Sequence, residues 1–265
     1  MKKSVKKAAL TGLLLLFVLI MPALPAQAAT KKYVSTWRTQ NGKVYYYNSK
    51  GKKATGLTKI GKKYYYFDSK GIQRSGWKKV KNEYYFFRIS SNKMAYMMTS
   101  QTINGITLDK KGRADQSGSN LRKLNLMVTA NQVMESITKP GMSKGEKLRL
   151  CFDYTKTHYK YYSWRSFRAT SDWAMTYAED MFYRGRGDCF AYGAAFAFLA
   201  NAVGIKNVYA VSSGGHGWAE AKGKVYDPDW ALVSKVDSYY AMPYSLSGVG
   251  GRPNYAPNRA YMTKI

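Results

Sequence analysis

G-R-G-D-C-F-A-Y-G-A-A-F-A-F-L-A-N-A-V-G-I runs from Gly185 to Ile205, and G-G-H-G-W-A-E-A-K-G-K-V-Y-D-P-D-W runs from Gly214 to Trp230. Together they hold one of the two cysteines, one of the two histidines, and an aspartate eleven residues after that histidine. A thiol, an imidazole and a carboxylate in this order are the parts of a cysteine nucleophile, its base and the group that orients the base. The run from Phe190 to Val203 is apolar and small on nearly every side and ends at Gly204. It predicts a buried central helix with a glycine C-cap. Asp188 is placed to be the N-cap, which puts Cys189 in the first turn. Unpaired N–H groups and the positive dipole end there favour a thiolate, and the same groups are candidate donors to an oxyanion.

The histidine and aspartate fall on a predicted hairpin. Val208 to Val211 and His216 to Ala221 read as strands, Lys222-Gly223 as a turn, and Lys224 to Asp227 as the return strand. With a two-residue turn Ala221 faces Lys224 and Trp218 faces Asp227, so His216 lies diagonal to Asp227. A three-residue turn would move Asp227 to the opposite face. Asp229 and Glu220 compete for the same role, but Pro228 lacks an N–H and tends to end strand pairing.

Gly187-Asp-Cys189, His216-Gly-Trp218 and Asp227-Pro228 resemble the motifs of the transglutaminase-like superfamily of papain-type cysteine enzymes. The helix and Y-x-Y segment from Glu146 to Tyr161 are also similar to that family's. The likeness covers roughly the last 145 residues. It implies an α+β fold with a central helix packed on an antiparallel sheet, and Cys189 as nucleophile, His216 as base and Asp227 as orienter. The chain departs from the family in having Gly217 after the histidine, where Ala is common, and Asp229 after the proline, where Thr is common.

Plainer readings stand beside this one. A lone cysteine in an apolar helix is often a small buried hydrophobe. Cys151 reads as core. It shares a helix face with His158, but about two turns separate them, too far for direct pairing. A Cys151–Cys189 disulfide would remove the only well-placed thiol. No usual zinc spacing is present among two cysteines and two histidines, so no metal or other cofactor is expected.

The chain opens with M-K-K-S-V-K-K, an apolar run from Ala8 to Met21, and A-Q-A ending at Ala28. This is the pattern of a secretory signal peptide over residues 1–28, too short in its apolar part for a spanning helix. The expected mature protein is a secreted one, associated with a bacterial cell wall or surface, with no membrane span.

The formal charge is +28, of which Lys2, Lys3, Lys6 and Lys7 lie in the leader. Thr30 to Asp115 holds 20 Lys and Arg against 4 Asp and Glu, a net of +16. Such a density attracts a polyanion, and an exported chain meets wall polymers before it meets nucleic acid. This third also repeats with a period of twenty residues. Tyr45-Tyr-Tyr-Asn48 aligns with Tyr65-Tyr-Phe-Asp68 and Tyr85-Phe-Phe-Arg88, and a decayed fourth unit spans Asn104 to Gly112. Short aromatic strands with glycine turns predict an all-β array of hairpins stacked as a solenoid.

The repeats are similar to the cell-wall-binding repeats of the choline-binding and glucan-binding family, whose aromatics cage a quaternary ammonium. The resemblance puts Trp37, Tyr64, Trp77 and Tyr84 at ligand-binding positions. Leu57 and Met97 replace the expected tryptophan, and the lysines would repel choline. A wall polymer such as teichoic acid or a surface glycan is therefore the expected partner, with a protein or peptide as the substrate of the enzyme portion. Residues 30–115 form the binding module and 121–265 the catalytic domain, joined by the polar stretch D-Q-S-G-S-N. Helices are predicted from Leu121 to Ile137 and from Ser143 to Lys160, the second opened by a Ser143–Glu146 capping box. Trp164 and Trp173 either line a cleft or pack in the core. No structure is assigned to 233–257. The alternative to an enzyme is a wall-binding adhesin that keeps a degenerate version of the fold.

Overall fold

Each aromatic run closed by a tight turn folds as a hairpin. The computed structural model describes residues 33–90, 94–234 and 237–265, so the signal-peptide reading of 1–28 lies outside the described residues. β1 (Thr36–Gln40) and β2 (Lys43–Tyr47) join through Asn41-Gly42, at φ 50° and 71°, the turn whose twist matches the strands. β3 (Gly56–Ile60) pairs with β4 (Lys63–Phe67), and β5 (Gln73–Arg74) adds to β4. β6 (Gly76–Val80), β7 (Glu83–Ile89) and β8 (Ala95–Met97) form the third antiparallel set. β9 (Thr102–Ile103) and β10 (Ile106–Thr107) are the shortened fourth.

After three of the four hairpins a side-chain oxygen at the equivalent position of the repeat closes the following turn. Asn48 Oδ1 accepts from the N–H groups of Lys50 and Lys52, Asp68 Oδ1 from those of Lys70 and Ile72, and Asp109 Oδ1 from those of Lys111 and Arg113. The third unit has Arg88 at this position, which offers no acceptor, and its strand β7 runs on to seven residues instead of five.

Beyond the repeats come α1 (Asn120–Ile137) and α2 (Lys144–His158). Ser143 Oγ accepts from the Glu146 N–H and Glu146 Oε2 from the Ser143 N–H, the expected capping box. β11 (Lys160–Tyr161) pairs in parallel with β12 (Arg186–Gly187) across α3 (Trp173–Arg184). α3 buries Trp173, Ala174, Tyr177, Ala178 and Met181 on one face, a helical spacing legible in the sequence although no helix is predicted there.

α4 (Cys189–Ala202) is the central helix. It packs against α1, α2 and α3 and against β13 (Val208–Ser212) and β14 (Gly217–Ala221). Every residue from Cys189 to Ala200 is buried. Phe196, Phe198 and Leu199 have no exposed surface, and each such side chain stabilises the fold by about 1.5–3 kcal/mol. β15 (Lys224–Tyr226), α5 (Pro228–Val233), β16 (Met242–Pro243) and β17 (Tyr261–Lys264) complete the chain. The antiparallel sheet is ordered β16-β15-β14-β13-β17.

The polar stretch at 115–120 does not divide the chain into separate bodies. Val34–Ile265 is one compact unit. Trp77 and Tyr84 lie in the same core as Leu124 and Met127 of α1, each of the two rings 1% exposed. Trp77 Nε1 donates to Asn104 Oδ1, and the Tyr84 hydroxyl donates to Asn125 Oδ1. Lys78 Nζ bonds Glu135 Oε1 at 2.7 Å at the same junction. The assignment of Trp77 and Tyr84 to ligand binding is thereby corrected: these rings join the repeats to the helices and are closed to a wall polymer. Trp37 is half-buried and Tyr64 is exposed.

Candidate active site

Asp188 caps α4, its Oδ1 accepting from the Ala191 N–H, which leaves Cys189 as the first residue of the helix. Two glycines bring that helix end against β14. A Cβ on Gly193 would lie 2.7 Å from the Trp218 backbone, and one on Gly217 would lie 2.5 Å from Phe190 Cα. The residue before β14 is His216, so this close approach carries the imidazole to the thiol.

The hairpin has the two-residue turn. Ala221 pairs with Lys224 and Ala219 with Tyr226, and Lys222 and Gly223 stand at φ 53° and 69°. His216 Nε2 lies 2.6 Å from Asp227 Oδ2. Nδ1 is the remaining ring nitrogen, and the Cys189 thiol lies within 4.8 Å of the ring's ligand atom. Burial opposes a charge on this imidazole, but attraction to Asp227, its hydrogen bond and the contact with Cys189 outweigh it, raising the His216 pKa to about 10. The group is an imidazolium at neutral pH.

Asp227 is fully buried and takes donors on both oxygens. Besides His216 it accepts from the Tyr255 hydroxyl at 2.7 Å and, as N-cap of α5, from the Trp230 N–H at 3.0 Å. Tyr255 belongs to the stretch left without a role by the sequence. Nothing in its spacing ties it to a motif 28 residues upstream; only the fold of the segment after α5 does. Glu220 is engaged elsewhere, accepting from the Tyr244 hydroxyl, Trp218 Nε1 and Arg259 Nη1.

Pro228 ends the strand by starting α5, and the helical turn swings Asp229 toward the thiol. One ligand-type atom each of Cys189, His216 and Asp229 lie within 4.8 Å of one another. These three could hold a metal ion, although the sequence has no metal-ligand spacing, and an ion there would compete with the thiol–imidazole pair. Burial, then the neighbouring Asp227, push the Asp229 pKa up to about 7, and burial lifts Asp188 to about 6. Both cysteines are free thiols. Cys151 has no exposed surface, and burial pushes its thiol up to about 12. Beside the site a cavity of about 590 Å³ is lined by Trp164, Arg165, Arg168 and Tyr177, with Trp173 buried at its wall. Phe167 stacks on Phe190, the residue after Cys189, at 4.5 Å.

Residues 131–233 match the sequence model of the transglutaminase-like superfamily. Residues 35–53 match a cell wall binding repeat, and 54–97 a choline-binding repeat. A transglutaminase-like domain follows cell-wall-binding repeats. The transglutaminase-like match spans α4, His216 and Asp227, and ends at the last residue of α5. Among solved structures the chain is similar to CbpJ from Streptococcus pneumoniae, with 26% identity, a TM-score of 0.27, and coverage of 31% of this chain and 27% of that one. It is similar to a choline-binding domain of the same organism, with 25% identity, a TM-score of 0.26, and coverage of 30% and 92%. A third is the cell wall endolysin from phage Cp-1 complexed with choline, with 28% identity, a TM-score of 0.25, and coverage of 33% and 26%. The chain thus spans about a quarter of the length of the first and third of these. No curated protein matches it. Among the described residues no helix is long and apolar enough to cross a membrane.

Proposed function

We propose that this chain is an exported surface enzyme of the cysteine acyl-transfer class, with Cys189 as nucleophile, His216 as acid and base, and Asp227 as orienter. The observation that carries the reading is the Asp227–His216 bond of 2.6 Å beside a thiol at a helix start. The thiolate attacks a carboxamide or peptide carbonyl, the His216 imidazolium protonates the leaving amine, and a thioester forms. The Asp188 carboxylate takes the Ala191 and Phe190 N–H groups, which leaves the N–H of Cys189 itself as the candidate donor to the oxyanion at the start of α4. Water or an amine then resolves the thioester, giving hydrolysis or transamidation. Two details favour catalysis over a silent adhesin: Asp227 holds the ring with both of its oxygens engaged by donors, and Glu220 is diverted to other donors.

The repeats are proposed to hold the enzyme at an anionic wall polymer, a teichoic acid or a surface glycan. Lys63 Nζ sits 3.7 Å over the Tyr96 ring, and Lys53 Nζ 4.2 Å over Tyr45. These two ring faces are covered by the chain's own ammonium groups, which add positive charge to the surface of the repeats. The test is product analysis by mass spectrometry with cell-wall peptides and a primary amine. The wild type is expected to give released or crosslinked product and Cys189→Ala none; turnover by Cys189→Ala would sink the mechanism.

A further inference from the structure

We infer that Asp229 forms a cation subsite beside the nucleophile and selects substrates that bring a primary ammonium to the thioester. This rests on the acyl-transfer reading above and adds a residue that reading does not use.

Asp229 is 7% exposed, and among the described residues its Oδ1 has no hydrogen-bond partner. A buried carboxylate oxygen left unmatched is destabilising unless a ligand completes it. Its carboxylate reaches the same small space as the Cys189 thiol and the His216 ring. Asp227, by contrast, has donors on both oxygens. The groups facing Asp229 are Asp227 from its own helix start, His216 from before β14, Asp188 from the cap of α4, and the Tyr161, Tyr192 and Tyr255 phenols. Three carboxyls therefore share one imidazolium. A bound ammonium would supply the missing donor and offset this crowding of carboxyls. An apolar group in the same position would leave the oxygen unmatched, and an acidic one would set two negative charges together.

The subsite also fits the chemistry of an amine acceptor. An entering ammonium gives one proton to the Asp229 carboxylate and becomes nucleophilic. Its nitrogen forms the C–N bond as the C–S bond breaks. A second proton passes through His216 to the Cys189 sulfur, and the third stays on the product amide. Asp229 returns its proton to solvent. The same oxygen would serve a basic side chain flanking the scissile bond, so the chemistry recognised is the ammonium in either case.

The test needs no substrate. Cys189 in the full chain is alkylated with 2-bromoethylammonium, iodoacetamide or iodoacetate above neutral pH. Each rate is divided by that of free cysteine, and the site is read by peptide mapping. Opposite charges a few ångströms apart, in an effective dielectric of ~20, bias rates by about tenfold or more. The cation-to-anion ratio is expected to fall about tenfold in Asp229→Asn and equally in Asp229→Thr, while the iodoacetamide rate holds within a few-fold. An unchanged ratio in a folded variant overturns the proposal. Loss of the acyl-transfer reading would show differently, as absent turnover with the charge ratio intact. The source of the ammonium is separated by product analysis. Wild type favouring cadaverine over the uncharged acceptor hydroxylamine, with the preference lost in Asp229→Thr, assigns it to the acceptor. A preference for lysine-flanked acyl peptides, lost in the same variant, assigns it to the acyl side. Neither preference overturns the selection.

Discussion

Gly217 stands so close to Phe190 that a Cβ on it would lie 2.5 Å from the Phe190 Cα, with a ring carbon of Phe190 at 2.8 Å. Backbone cannot yield to that contact as a flexible side chain can, so Gly217→Ala forces β14 away from α4. His216 and Cys189 flank the contact on the two elements, and their separation grows with it. The expected result is a loss of turnover of about a hundredfold, because a displacement near 1 Å at reacting groups has that effect. Gly215→Ala is the control, since nothing lies within 4 Å of a Cβ there and its φ is ordinary. Equal activity of the two variants would show that this close approach does not position the pair.

Asp227 has a mechanical role as well as an electrostatic one. Asp227→Asn keeps a side chain of the same shape but changes which ring nitrogen of His216 carries the proton, so turnover is expected to fall by about 10³–10⁴ with KM little changed. Asp227→Ala also leaves the Tyr255 hydroxyl and the Trp230 N–H without their acceptor. It is expected to destabilise the protein by roughly 3–5 kcal/mol, as removal of one partner from a buried charged network does. Denaturant unfolding separates the two variants; equal stability would mean that the Tyr255 bond is unimportant.

What could be read from the sequence depended on whether contacts are local. The capping box at Ser143, the cap at Asp188 and the register through Lys222-Gly223 involve residues close along the chain, and their chemistry is readable from spacing. The path after Pro228 is not. The strand pattern extends to Asp229 only if pairing continues, whereas proline at the first helical position starts α5 and turns the carboxylate toward Cys189. β17 pairs with β13 from far along the chain, and no pattern in Tyr261–Lys264 announces it. The repeats mislead for a related reason. Trp77 and Trp37 occupy the same phase of one motif, but the third hairpin meets α1 and the first does not bury its tryptophan to the same degree. A periodic sequence does not show which of its units will acquire a neighbour.

The pH dependence of stability follows from Asp229. Its pKa moves from the ordinary 3.8 of an unfolded aspartate to about 7 in the folded chain. A raised folded-state pKa means that the contribution is intact below 3.8 and is lost as pH climbs through about 7. Asp229→Asn removes that loss. The variant is expected to gain on the order of 4 kcal/mol relative to wild type between acid and neutral pH, read as a difference in unfolding free energy that widens with pH. A constant difference across the window would show that Asp229 is not buried as a strained carboxyl. His216 acts with the same sign in a later pH window. Its stabilisation is complete below 6.5 and fades only toward about 10.

The junction between repeats and helices gives the last prediction. Trp77 is 1% exposed, lies against α1 in the shared core, and donates its indole N–H to Asn104. Trp77→Ala opens a cavity there and is expected to destabilise the full chain by about 3–5 kcal/mol. Because the core is continuous from Trp77 to α4, activity at elevated temperature falls with it. Trp37 packs only within the repeats, against Tyr46 and Tyr65 at 5.1 and 4.9 Å. Trp37→Ala is expected to leave turnover on a small soluble substrate unchanged and to weaken retention on purified cell walls. That retention should decline as salt rises and resist competition by choline if the proposed partner of the basic surface, with Lys53 and Lys63 over tyrosine rings, is a polyanion. Thermal unfolding of the two variants, set beside wall retention across a salt series, decides the matter. Salt-independent retention that choline displaces would assign the repeats to an aromatic cage instead.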